Sequence, residues 1–136
     1  MSEENIEIVR RIHEALTEGV HERAINALLN ADLMAPDAEI DFRNAYPDGG
    51  VFQLATMAQF EAEPWEQSVR FEVESIRAAG ADRVLAFVRT LATGGESGIE
   101  VEARVAHLMT LREGQLVRIE VYTDRAKALE AAGLSE

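Results

Sequence analysis

The chain has 136 residues, 47% of them hydrophobic, with no cysteine and a net charge of -12 from 25 acidic and 13 basic residues. A chain of this size builds one domain, residues 1–136, around one core, and so acidic a surface argues against nucleic acid and anionic lipid as partners. Without cysteine there is no disulfide framework, thiolate metal site or sulfur nucleophile. The N-terminus Met1-Ser2-Glu3-Glu4-Asn5 is acidic and no apolar run reaches about 18 residues, so the expected setting is cytoplasmic, with no membrane contact.

Ser2 opens a helix in which Ile8, Val9, Ile12 and Leu16 recur at helical spacing, with Glu4, Glu7, Arg10, Arg11 and Glu14 on its wet side. Gly19 breaks it. A second helix over 22–30 carries Ile25, Leu28 and Leu29, the Ala35-Pro36-Asp37 step ends the helical region, and a strand follows over 38–44. Beyond the turn-rich loop Tyr46-Pro47-Asp48-Gly49-Gly50, residues Leu54, Met57, Ala58 and Phe60 predict a third helix, disrupted at Pro64. Strands are expected over 69–78, 83–92, 99–112 and 116–123, with 93–98 as a hairpin loop, and Asp124 caps a last helix that Gly133 stops.

The longest strand alternates cleanly: Ile99, Val101, Ala103, Val105, His107, Met109 and Leu111 share one face. The turn at Arg112-Glu113-Gly114 closes in one of two registers. A two-residue loop pairs His107 with Glu120 and sets Arg118, Glu120 and Tyr122 beside the apolar stripe. A three-residue loop with Gly114 as the left-handed residue pairs His107 with Ile119 and extends the stripe through Val117, Ile119 and Val121. The second keeps polar groups out of the core and is the one chosen. Strand 83–92 leaves its facing open: either Val84, Ala86, Val88 and Thr90 point inward, or Leu85, Phe87 and Arg89 do.

His107 is thus a lone imidazole on an apolar stripe. It is either a core histidine satisfied by local hydrogen bonds or the polar landmark of a ligand cavity. His13 lies on the helix stripe between Val9, Ile12 and Leu16 and faces the same concave surface, and Arg89 joins them if its strand presents it inward. No His-Glu-x-x-His spacing, nucleophile elbow or phosphate loop occurs, so no metal or cofactor is expected. Phe42, Tyr46, Phe60 and Trp65 come from segments that lie over the mouth of a bent sheet.

The segments Ile8-Val9-Arg10-Arg11-Ile12-His13-Glu14-Ala15-Leu16, Ala35-Pro36-Asp37-Ala38-Glu39-Ile40, Glu63-Pro64-Trp65, Val105-Ala106-His107-Leu108 and Tyr122-Thr123-Asp124-Arg125-Ala126-Lys127-Ala128-Leu129 resemble a SnoaL-like member of the nuclear transport factor 2-like superfamily, along nearly the whole chain. The resemblance implies an α+β cone-shaped barrel, with N-terminal helices packed on a strongly curved, mainly antiparallel sheet, a C-terminal helix, a deep pocket and commonly a dimer through the sheet. Matched by position, the base of the ketosteroid isomerases falls at Phe42, their helix donor at Ile12 and their second donor at His107. The limonene epoxide hydrolase pattern finds Val121 where its last-strand Asp stands, and Arg89-Thr90-Leu91 near its Arg-x-Asp.

The expected function is binding of a small apolar molecule in the cone pocket, with cofactor-independent isomerase, cyclase or hydrolase chemistry. His107 serves as acid/base or oxyanion donor and His13 or Arg89 assists. Phe42, Tyr46, Phe60, Trp65, Met109, Val121 and Thr123 line the pocket. The alternative is a non-catalytic ligand-binding or dimerisation module of the same fold. The outer sheet face, with Ala106, Leu108 and Tyr122 beside Arg104, Arg118 and Glu120, is the expected homodimer surface.

Overall fold

In the computed structural model, residues 2–17, 22–45, 47–59, 68–93 and 100–135 are described. Helices α1 (Ser2–Ala15) and α2 (Glu22–Asn30) precede strand β1 (Met34–Asp41), then β2 (Val51–Gln53) and the short helix α3 (Leu54–Gln59). Strands β3 (Ser68–Ala78), β4 (Arg83–Thr93), β5 (Glu100–Arg112) and β6 (Gln115–Tyr122) follow, and α4 (Arg125–Ala132) ends the chain. The expected helix break at Gly19, the Pro64 disruption and the Gly-rich hairpin loop lie outside the described residues. No helix of the described chain is long and apolar enough to cross a membrane.

The six strands form one open, curled α+β sheet in the order β2-β1-β6-β5-β4-β3. All neighbours are antiparallel except β1 and β6, which run parallel. On the concave side, Val9, Ile12 and Leu16 of α1 and Ile25 and Leu28 of α2 are buried in one cluster with Val84, Ala86, Val88 and Met109 of the sheet. The amphipathic stripe that makes α1 a helix is therefore also what docks it. On the convex side a second cluster joins Leu85, Phe87, Ala106, Leu108 and Tyr122 to Ala128, Leu129 and Ala132 of α4. That helix begins where Asp124 accepts the backbone N–H groups of Ala126 and Lys127, and stops at Gly133 with φ 73°.

Three details differ from the sequence expectation. β1 starts at Met34, four residues before the expected strand, and contains Pro36. It can do so because Met34 pairs with Leu116 and Glu39 with Arg118, so the residues between form a wide bulge in which a missing N–H costs no ladder bond. The strand β2 was not anticipated; it is three residues long and wholly exposed. The β5–β6 hairpin follows neither register outright. Its turn is the two-residue kind, with Glu113 at φ 52° and Gly114 at φ 80°, and Arg112 pairs with Gln115. Val117 then bulges out, the register moves by one, and His107 pairs with Val121 rather than Ile119. Ile119 and Val121 thus join the apolar stripe as expected, through a bulge rather than through a longer loop.

The turn after β1 depends on Gly49, where a Cβ would stand 2.1 Å from the carbonyl oxygen of Phe42. Backbone cannot yield there as a flexible side chain could. Gly49→Ala is expected to lower stability by about 1–3 kcal/mol, read as a shift of the urea midpoint with unchanged slope.

Candidate functional site

Along the concave face of β5 the alternate residues pass from closed to open. Met109 is fully buried, His107 is 8% exposed, Val105 is half-buried and Val101 is 59% exposed. Phe71 and Thr90, on the neighbouring strands, are half-buried, and Val73 is exposed. His107 therefore stands where the packed core gives way to an accessible apolar surface.

The structure brings His13 and His107 together. His13 Nε2 lies 3.1 Å from His107 Nδ1, the rings are nearly parallel at 13° with centroids 5.3 Å apart, and His13 Nδ1 lies 3.0 Å from the carbonyl oxygen of Val9. Phe71 meets the His107 ring edge to face at 6.0 Å. These contacts assign the tautomers. A carbonyl oxygen only accepts, so His13 Nδ1 carries the proton and donates to Val9; the bare His13 Nε2 then accepts from His107 Nδ1–H. His107 Nε2 is left as a lone pair, with no partner among the described residues. The opposite tautomers would press two acceptors together at Val9.

Burial also keeps the pair neutral. Desolvation, reinforced by the neighbouring His13, holds His107 down to about 3, and desolvation lowers His13 as well, partly opposed by its bond to Val9. A neutral His107 with a bare Nε2 is a base or an acceptor, not an oxyanion donor.

The remaining expected site residues divide. Phe42 follows β1 level with Val121, by the parallel pairing of Asp41 with Glu120, and packs at the margin of the concave cluster, 6.2 Å from Phe52. Val121 is buried beside His107 as its strand partner, while Met109 has no accessible surface to offer a ligand. Tyr46, Phe60 and Trp65 lie outside the described residues. Arg89 is not brought to the histidines: β4 turns Val84, Ala86 and Val88 inward, which puts Arg89 on the convex face, bonded to Glu72 and Glu102. Thr123 is also convex, because the chain turns there from β6 into α4. It lines a cleft of about 140 Å³ with Glu74, Phe87, Arg104, Tyr122 and Arg125.

The dimer surface read from the sequence changes too. Ala106, Leu108 and Tyr122 are buried against the protein's own α4, so they are not open to a second copy. A hydrophobic patch on a sheet face shows no more than that something covers it, and here the cover is intramolecular.

Two groups escaped the sequence reading. Phe71 carries no pattern that singles it out. Asp41 is buried at the end of β1, bonded by the backbone and guanidinium of Arg43 and, at 2.6 Å, by Arg118, and these cations hold its carboxyl down to about 2. The two-residue spacing of Asp41 and Arg43 was its visible trace. Arg118 also binds Glu39, and Tyr122 donates to Glu120, so this network braces the convex side of β1 and β6. Among the described residues no group of acidic or histidine side chains is placed to hold a metal ion.

A SnoaL-like domain model matches residues 9–119, and the chain belongs to the SnoaL-like family. Bal32a, from a soil-derived mobile gene cassette, shares the fold with TM-score 0.69 at 18% identity, covering 96% of each chain. A protein of Jannaschia sp. CCS1 named as a SnoaL-like polyketide cyclase superposes with TM-score 0.68 at 18% identity, covering 99% of this chain and 95% of its own. TerC, crystallised with polyporic acid, has TM-score 0.64 at 24% identity, with 96% and 98% covered. The chain matches no curated protein sequence.

The neutral pair makes stability depend on acid. The unfolded imidazole of His107 titrates near 6.5 and the folded one near 3, so below pH 6.5 the unfolded chain takes up a proton that the folded chain refuses. Stability is expected to fall by about 1.4 kcal/mol per pH unit for each such proton. The contribution of Asp41, present above its ordinary 3.8, is lost only as pH falls toward 2. His107→Leu should cost about 1–3 kcal/mol at pH 7, since His13 Nε2 loses its donor, and this deficit should narrow toward pH 4.5. Urea unfolding across that range measures both slopes.

Proposed function

We propose that the protein binds a small, mostly apolar molecule on the concave face and that His107 acts there as a general base. The observation that carries this reading is the bare Nε2 of a neutral imidazole at the boundary between closed core and open apolar surface. A proton leaving the ligand passes to His107 Nε2. The imidazolium so formed still donates Nδ1–H to His13 Nε2, and His13 still donates to Val9, so the hydrogen-bond chain survives the transfer. Burial lowers the basicity of His107, so the transfer requires the ligand anion formed beside the ring to balance the imidazolium. The polyporic acid of TerC supports a small organic ligand for this fold; the Jannaschia protein supports cyclase-type chemistry.

A binding module without turnover is the second reading. It is favoured by one observation: among the described residues the buried polar side chains are His13, His107 and Asp41, and Asp41 belongs to the convex network, so no carboxylate joins the imidazoles. The homodimer and the cytoplasmic setting remain part of the proposal. With the α4 contact occupied, the surface left for a second copy on the sheet is the ion-pair ladder of Glu72, Arg89, Glu102, Arg104 and Glu74.

Turnover of a panel of cyclic ketones and polyketide mimics is expected to fall about 10²- to 10⁴-fold in His107→Leu, the usual weight of a general acid or base. Activity that persists in a folded variant removes the base role, and binding without turnover in the parent selects the second reading. Sedimentation at tens of micromolar as a monomer would dispose of the dimer.

A further inference from the structure

The chain of hydrogen bonds from Val9 through His13 to His107 does more than hold a base in place. It decides what kind of polar atom the concave face presents. We propose that His13 is a positioning and specificity-determining residue: by holding His107 as its Nδ1–H tautomer it makes the site selective for ligands that point an O–H donor, a phenol, enol or alcohol, at His107 Nε2. This deepens the reading of the concave face as a ligand site and rests on it.

The argument is one of satisfied and unsatisfied lone pairs. A helix carbonyl cannot donate, so the Val9 end of the chain has a single polarity, and each ring passes that polarity on. The accessible end of the chain must then be an acceptor. A ligand hydroxyl completes it. An ether or ketone oxygen in the same place sets lone pair against lone pair in a site with little water to separate them, and the mismatch costs about tenfold or more in affinity. Protonating His107 would reverse the polarity, but burial of both rings opposes this at neutral pH. Geometry reinforces the choice: the near-parallel rings and the Phe71 edge leave His107 no freedom to flip without losing His13.

The test uses the full chain with ¹⁵N-labelled histidine and the probes 4-methylphenol and 4-methylanisole, which differ in the hydroxyl proton. Long-range ¹H–¹⁵N correlation at pH 7 is expected to show both His13 and His107 as Nδ1–H tautomers before any ligand is added. A wild-type His107 found as Nε2–H overturns the proposal outright. On titration, 4-methylphenol should bind at least about tenfold more tightly than 4-methylanisole and shift the His107 Nε2 resonance. Equal binding of the two overturns the selectivity while leaving the concave face a ligand site; binding of neither overturns both.

His13→Phe keeps a ring but removes the acceptor, so His107 should leave its single tautomer and the preference for the phenol should collapse. His13→Gln, whose amide oxygen can accept from His107 Nδ1–H, should restore both. Retention of tautomer and preference in His13→Phe removes His13 from the role. If His13→Phe does not fold, the wild-type tautomers and the probe pair still decide the question.

Discussion

Burying the Val9, Ile12 and Leu16 stripe of α1 in the curl of the sheet leaves two imidazoles facing each other, His13 in the core and His107 at its open margin. From that constraint the character of the concave side follows. The inner nitrogens find their partners within the protein, the helix carbonyl sets the direction of the first proton, and the second ring inherits it. Had either residue been apolar, the other would stand as an orphaned polar group in the core. The pair is therefore a structural joint between helix and sheet and, at its outer end, a reactive atom.

The charge of the molecule is arranged to leave that atom alone. Among the described residues the charged side chains sit on exposed helix faces, in turns and on the convex sheet, where Glu72, Arg89, Glu102, Arg104 and Glu74 alternate in sign across three strands and where Asp41, Arg43 and Arg118 brace β1 against β6. The two sheet faces thus separate two jobs. The convex one is polar, ion-paired and closed in part by α4; the concave one is apolar, with imidazole as its buried polar chemistry among the described residues.

How much of this could be read from the residues follows from the range of the signals. α2 over 22–30, the strands from β3 to β6 and the caps of α4 were legible because each is set by local periodicity, a turn or a cap. The convergence of His13 on His107 was visible as a shared facing, since both sit on apolar stripes, but their direct bond joins residues 94 apart and no local pattern encodes it. The facing of β4 was undecidable because Val84, Ala86 and Val88 and their alternates Leu85 and Phe87 are both apolar, and the reason lies elsewhere in the chain: α4 covers the second set. That cover also accounts for the apolar residues of the outer face, Ala106, Leu108 and Tyr122. β1 was placed too late because Pro36 reads as a stop, and only the wide bulge opposite Val117 permits it inside a strand.

The Val117 bulge has a consequence for how this hairpin can be altered. A two-residue turn sets β6 in one phase, and the bulge three residues later shifts it by one, so turn and bulge behave as a pair of compensating frameshifts. Changing the length of one by a single residue would carry every later side chain of β6 to the opposite face, exchanging Ile119 and Val121 for Arg118 and Glu120 against the helices. The same bulge lies opposite the Pro36 bulge of the parallel neighbour β1, so the phase error would spread to the next strand. The Glu113-Gly114 tip is accordingly no free insertion point: the spacing from Arg112 to Arg118 is a single unit of information, inherited or exchanged whole.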